Sequence, residues 1–160
     1  MNKDLKEKIE KLLELSKKPL LIQGTTDVVT DELSKDKDNS VIFDCEDAVQ
    51  YDYKYNNIEG YNSNPEWYNN LVNKCNNNND KVIMVFKDIQ KLPYSLLYRL
   101  IVCLCSDNFG GNYELPTNSR IVCTNNELVD STSLLPNTIS KYFNVVNVNN
   151  NRNIKRKWDL

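Results

Sequence analysis

The chain has 160 residues, the size of one domain, and its 20 basic and 22 acidic residues give a formal net charge of −2. A nearly neutral chain does not hold nucleic acid through bulk charge, so the composition argues against that partner. There is no histidine, which excludes Ser-His-Asp and Cys-His nucleophile systems and histidine metal sites. The hydrophobic content of 40% is enough for a core that needs no metal or disulfide.

The five cysteines are scattered and include no Cys-x-x-Cys pair. Most lie in apolar stretches, which indicates buried free thiols and a reducing compartment. No apolar run reaches the ~18 residues of a membrane span, and residues 1–18 lack the order of a signal peptide. We therefore expect a soluble, cytoplasmic protein with no metal site and no membrane partner.

The first predicted element is a helix over residues 3–17, between an Asn2 cap and Pro19. Apolar residues recur along it at helical spacing, with charged residues between them: Leu5, Ile9, Leu12 and Leu13. Because its polar face mixes both charges, we expect residues 1–18 to be an amphipathic helix that packs on the core.

Short apolar segments alternate with helical ones along the rest of the chain. The predicted strands lie near residues 20–23, 41–43, 82–86, 120–123 and 143–148. The predicted helices lie near residues 27–35, from Pro65, from Pro93 and from Pro136 to 142, with a loop at 47–64 and a short basic tail at 151–160. This alternation predicts an α/β fold with a five-stranded, mainly parallel sheet and helices on both faces. Val82–Phe86, apolar at every position, should be fully buried inside the sheet.

The serial order of several degraded motifs is more specific than any one of them. A strand ends at Gly24, and another ends in Lys87-Asp88 and is followed by Leu92-Pro93. A third ends Thr124-Asn125-Asn126, and Lys141-Tyr142-Phe143 precedes the last strand. Over residues 19–150 this order resembles the AAA+ ATPase core, a P-loop NTPase fold, and within it the MoxR-like and dynein-related group. The resemblance implies that Val82–Phe86 lies beside the strand that ends at Gly24. It also implies no helical lid, since the sequence stops at Leu160, where family members continue into one.

The segment that resembles Walker A departs from what phosphate binding needs. Counted from Gly24, the lysine position is Thr30, the hydroxyl position is Asp31, and the second glycine is Val29. Walker A uses backbone N–H groups to cradle phosphate, a lysine to neutralise it and a hydroxyl to hold Mg²⁺. Asp27 adds a negative charge where phosphate would lie. We interpret Gly24, Thr30 and Asp31 as vestiges of a nucleotide site, or as an ordinary strand-to-helix turn.

The other motif positions also lack the residue types that ATP hydrolysis uses. The Walker B acids resemble Lys87 and Asp88, and lysine does not ligate Mg²⁺. Asn126 matches the first sensor, which positions water or the γ-phosphate, although a polar strand end explains it equally well. Lys141 stands at the arginine-finger position without the planar fork of arginine. We also predict that Lys87 forms an ion pair with Asp31 or Asp27 in the volume of the lost metal and phosphate.

These losses predict a catalytically inactive AAA+-like module that binds protein, with an active AAA+ subunit as one candidate partner and no cofactor. Two alternatives remain open at the level of sequence. One is a residual nucleotide binder, either MoxR-like or a clamp-loader-like subunit, that holds ATP and Mg²⁺ weakly. The other is an active ATPase whose motifs are in a different register.

Overall fold

The structure, a computed structural model, describes residues 2–24, 26–47, 66–105, 114–126 and 141–148. The strands are β1 (Leu20–Gly24), β2 (Ser40–Asp44), β3 (Val82–Lys87), β4 (Ser119–Asn125) and β5 (Asn144–Val148). The helices are α1 (Lys3–Leu15), α2 (Asp27–Leu33), α3 (Glu66–Asn76) and α4 (Tyr94–Cys105), with a 3₁₀ turn at Ile89–Lys91. Residues 45–47, directly after β2, are helical as well. The predicted loop from residue 48 onward, the helix from Pro136 through residue 140 and the tail at 151–160 lie outside the described residues.

The five strands form one all-parallel sheet in the order β2-β3-β4-β1-β5. The predicted α/β class is therefore confirmed, and β3 is an interior strand. Its predicted place beside β1 is wrong, because β4 lies between them and pairs with both. β2, β3 and β4 follow one another along the chain and lie side by side, as consecutive strands often do, and this leaves β4 next to β1.

Helices cover both faces of the sheet, and each face has its own apolar cluster. On one face, strand residues such as Phe86 and Ile121 pack with α3 and α4 through Leu71 and Leu100. On the other face, strand residues such as Ile22 and Val122 pack with α1 and α2, through side chains that include Ile9 and Val29. Alternation along β3 supplies both clusters, since Met84 and Phe86 face one way and Val85 the other. Ile83 is only half-buried, so the prediction that β3 is fully buried is wrong at that position.

The amphipathic pattern of the first segment produces α1 as predicted. Asn2 caps it by accepting hydrogen bonds from the Asp4 and Leu5 N–H groups, at 2.7 and 3.3 Å. Ile9 and Leu13 are its buried residues. Across the described ranges, no helix combines the length and apolar character needed to span a membrane.

Candidate functional site

The carboxyl ends of β3, β4 and β1 meet at one edge of the sheet, called here the carboxyl edge. The order of strands places Asn126, which follows β4, between Gly24 on β1 and Asp88 after β3. In open parallel sheets this edge is where ligands bind. The structure therefore brings together three of the residues that the sequence analysis selected.

The turn after β1 is closed by a hydrogen bond from the neighbouring strand end. Gly24 has φ 115°, a left-handed conformation that glycine adopts without steric cost. The Thr26 N–H donates to Asn126 Oδ1 at 3.1 Å, and Thr26 Oγ1 lies 3.5 Å from the same oxygen. Thr26 is almost fully buried. The Thr26 N–H is therefore bonded within the protein.

The other residues of the segment that resembles Walker A are hydrogen-bonded within the protein or exposed to solvent. Thr30, at the lysine position, is buried, and its hydroxyl donates to the Thr26 carbonyl at 3.0 Å inside α2. Asp31, at the hydroxyl position, is exposed, because consecutive helical residues point about 100° apart. The first turn of α2 carries the exposed Asp27. Neither position supplies a cation.

The predicted ion pair of Lys87 with Asp31 or Asp27 is wrong. Within the described ranges, the single ion pair closer than 4.0 Å joins Lys6 to Glu32, at 3.3 Å. Lys87 is half-buried at the end of β3, in register with Asp44 of β2. The pairing fails because Asp27 and Asp31 both lie on exposed parts of α2, whereas the buried face of α2 carries Val29 and Thr30.

Asp88 has an unusual backbone and a perturbed carboxyl group. It adopts a left-handed conformation, with φ 60° and ψ 55°, and its N–H donates to Thr124 Oγ1 at 2.9 Å. Gln90 Nε2 lies 3.5 Å from Asp88 Oδ1, and Gln90 Oε1 accepts from the Asn126 N–H at 3.3 Å. Burial raises the pKa of Asp88, and the carboxylates of Asp44 and Asp27 raise it further against the opposing effects of Gln90 and Lys87.

Lys141, the arginine-finger position, does not join this group. It precedes β5, whose first residue Asn144 is in register with Leu20, the first residue of β1. Because all strands are parallel, Lys141 lies at the amino edge of the sheet, opposite to Asn126 and Asp88. Its ammonium lies 5.3 Å from the centroid of the Tyr142 ring, on the surface.

Sequence reasoning missed Gln90, Thr26 and a row of side-chain amides. Asn125 Nδ2 donates to Gln23 Oε1, and Gln23 Nε2 donates to Asn147 Oδ1, both at 3.3 Å across β4, β1 and β5. Asn125 is fully buried, and its Oδ1 has no hydrogen-bond partner among the residues that the structure describes. The available signal was polar residues at consecutive strand ends, which in parallel sheets converge on one edge.

Substitution of Asp88 tests the site electrostatics. A carboxyl group whose pKa is raised by folding binds its proton more tightly in the native state than in the unfolded state. The free energy of unfolding therefore falls as the pH rises from the ordinary pKa, near 3.8, through the raised pKa of the folded protein. Asp88→Asn removes this loss and keeps a residue that tolerates the left-handed region. We expect the variant to be more stable than wild type at pH 7 and the difference to disappear below pH ~4, as measured by urea unfolding at several pH values.

Asp88→Ala is the matched control for this prediction. It also removes the charge, but it places an alanine in the left-handed region, at a cost of about 1–2 kcal/mol. A stability gain for Asp88→Asn that is equally large at pH 3 and pH 7 would contradict the electrostatic explanation.

Comparison with known proteins adds no assignment to this geometry. The sequence matches no protein-family model, and a search of curated proteins gives no significant match. In the part of the chain that the structure describes, no three carboxylate or thiol side chains are grouped to hold a metal ion.

Proposed function

We propose that this chain is an AAA+-like domain that does not bind or hydrolyse nucleotide and that acts by binding another protein. The observation that carries the proposal is the hydrogen bond from the Thr26 N–H to Asn126 Oδ1. In the AAA+ arrangement these two groups would face the phosphates from opposite sides. Here each bonds to the other, so a phosphate would have to break a partly buried hydrogen bond before it bound.

The charges at the carboxyl edge disfavour ATP and Mg²⁺ as well. Asp27 and Asp88 would lie near the phosphates, and Lys87 occupies the place of a metal ligand. A lysine ammonium repels Mg²⁺. The helix α2 has 7 residues, so it is too short for a strong dipole that would attract phosphate to its N-terminus. The residues present do not fit the nucleotide and its metal.

The surface of the domain supports a protein partner. Several large apolar or aromatic side chains on four different elements are 40–60% exposed: Val28, Ile42, Tyr94, Tyr98 and Val145. Tyr94 and Tyr98 are four residues apart on α4 and therefore lie on the same helix face. Tyrosine is enriched at protein interfaces, because its ring buries area while its hydroxyl keeps a hydrogen bond. The AAA+ resemblance makes an active AAA+ subunit the first partner to test.

Isothermal titration with ATP and Mg²⁺ tests the absence of nucleotide binding. We expect no heat of binding and, at 1 mM nucleotide, no rise in melting temperature. A ligand at 100 times its Kd would stabilise the fold by about 2.7 kcal/mol, which a melting curve would reveal. Asn126→Ala is the informative control, because it releases the Thr26 N–H without adding a charge.

Two results would contradict the proposal. The first is saturable nucleotide binding to the wild-type protein that is lost in Asn126→Ala. The second is phosphate release that is lost in Asp88→Ala, because that dependence would make Asp88 a catalytic acid. Phosphate release that survives both substitutions would instead identify a contaminating ATPase.

A further inference from the structure

Among the described strands, β2 is an edge strand, and the backbone groups on its outer side have no strand partner there. Its partner on one side is β3, and no described strand lies on its other side. The Ile83 N–H donates to the Asn39 carbonyl, so Asn39, Val41 and Phe43 direct their backbone groups at β3. Alternation along the strand then turns the N–H and C=O groups of residues 40, 42 and 44 outward.

Lys74 covers only the first part of this edge. Its ammonium donates to the Ser40 carbonyl at 2.9 Å and also to the Lys37 carbonyl. The open part of the edge is therefore centred on Ile42, which is 44% exposed. Natural edge strands are commonly protected by lysine, proline or a bulge. Beyond Ser40, β2 has no lysine or proline, so a further strand can pair there.

The charges at the carboxyl end of β2 indicate which kind of strand fits. Asp44 is half-buried, Glu46 and Asp47 are exposed, and no basic residue lies among residues 40–47. An antiparallel second copy centred on Ile42 would place Asp44 opposite Ser40 of that copy, so β2 itself offers no basic residue to the Asp44 carboxylate. A segment with arginine or lysine at the matching end would instead meet three carboxylates.

We propose that β2 accepts an extended, basic segment of a partner protein as a sixth, antiparallel strand of the sheet. Its backbone would bond to Ile42 and Asp44, and its basic N-terminal residues would lie beside Asp44, Glu46 and Asp47. This mode of recognition takes affinity from main-chain hydrogen bonds and specificity from side chains. The proposal rests on the proposed function, because it names the surface with which the domain binds protein.

Nuclear magnetic resonance of the full ¹⁵N-labelled chain tests the added strand. The probe is an end-blocked heptapeptide of two arginines followed by alternating threonine and valine. The comparison peptide has two glutamates in place of the arginines. We expect the arginine peptide to shift the Ile42 and Asp44 amide signals and slow their hydrogen exchange. The glutamate peptide should bind about fivefold more weakly, as expected for two exposed charge pairs.

Two proline variants distinguish strand pairing at this edge from nonspecific peptide binding. Ile42→Pro removes the outward N–H, and an edge strand tolerates proline at such a position. We expect it to weaken peptide binding about tenfold. Val145→Pro is the matched control, because Val145 faces outward on β5, the opposite edge, and it should bind like wild type. Neutralising Glu46 and Asp47 together, as Glu46→Gln and Asp47→Asn, should reduce the preference for arginine, because only the Asp44 carboxylate then remains.

Four outcomes overturn the added strand. They are unperturbed Ile42 and Asp44 amides, protection of the Ile42 amide in the free protein, equal shifts at the β5 edge, and full binding by Ile42→Pro. None of these outcomes tests whether the protein binds nucleotide. Heat of binding with ATP and Mg²⁺ would refute the proposed function, whereas unperturbed Ile42 and Asp44 amides refute only this surface.

Discussion

Phe86→Ala should lower the free energy of unfolding by about 3–5 kcal/mol. Phe86 is fully buried in the interior strand β3. Its ring lies 5.0 Å from that of Trp67 at 79°, and 5.9 Å from that of Phe43. Truncation leaves a cavity between the sheet and α3 that these neighbours cannot fill without moving. Urea unfolding followed by circular dichroism measures the loss.

The fluorescence of Trp67 provides a second measurement of the same change. In a Trp158→Phe background, Trp67 is the remaining tryptophan of the chain. We expect its emission to shift to the red in Phe86→Ala, because the ring that covers it is gone. Phe86→Leu should lose less stability, and Tyr98→Ala, at a position 54% exposed, should stay within about 0.5 kcal/mol of wild type. A wild-type melting curve for Phe86→Ala would show that β3 is not in the core.

Arg120→Met should cost about 3 kcal/mol, because it leaves buried carbonyl groups without donors. Arg120 is 9% exposed at the start of β4. Its Nε donates to the Leu13 carbonyl at 2.7 Å, and its Nη1 donates to the Thr117 and Ser119 carbonyls at 3.1 and 2.8 Å. The Leu13 carbonyl is in the last turn of α1, where a cation is favoured. Arg120 therefore attaches α1 to the sheet.

Urea unfolding again measures this effect, with two comparison variants. Arg120→Lys keeps the charge but not the planar fork, so we expect an intermediate loss. Lys11→Met makes the same kind of change at an exposed position of α1 and should be nearly neutral. If Arg120→Met unfolds at the same urea concentration as wild type, the three carbonyls are satisfied in another way.

The pattern of apolar residues was sufficient to predict where the strands and the first helix lie. Val82–Phe86 reads as a buried strand and the spacing of Ile9 and Leu13 as a helix face, because both signals are local. The order of strands was not local, and the predicted neighbour of β3 was wrong. The pattern also could not show that Ile83 is half-buried, since that depends on how far α2 extends over the sheet.

Some features of the candidate site likewise follow from the sequence, and others only from the fold. The sequence by itself determined that position 30, six residues after Gly24, is a threonine and not a lysine, and that position 87 is a lysine and not an aspartate, because residue identity needs no fold. Only the tertiary structure decided that Asn126 closes the turn at Thr26 and that Lys87 has no ion pair with α2. The two residues of each pair are about 60 to 100 positions apart in the chain, and the distance between them depends on which strand lies beside which. A hydrogen bond requires atoms within about 3 Å, a precision that packing sets and that local sequence patterns do not contain.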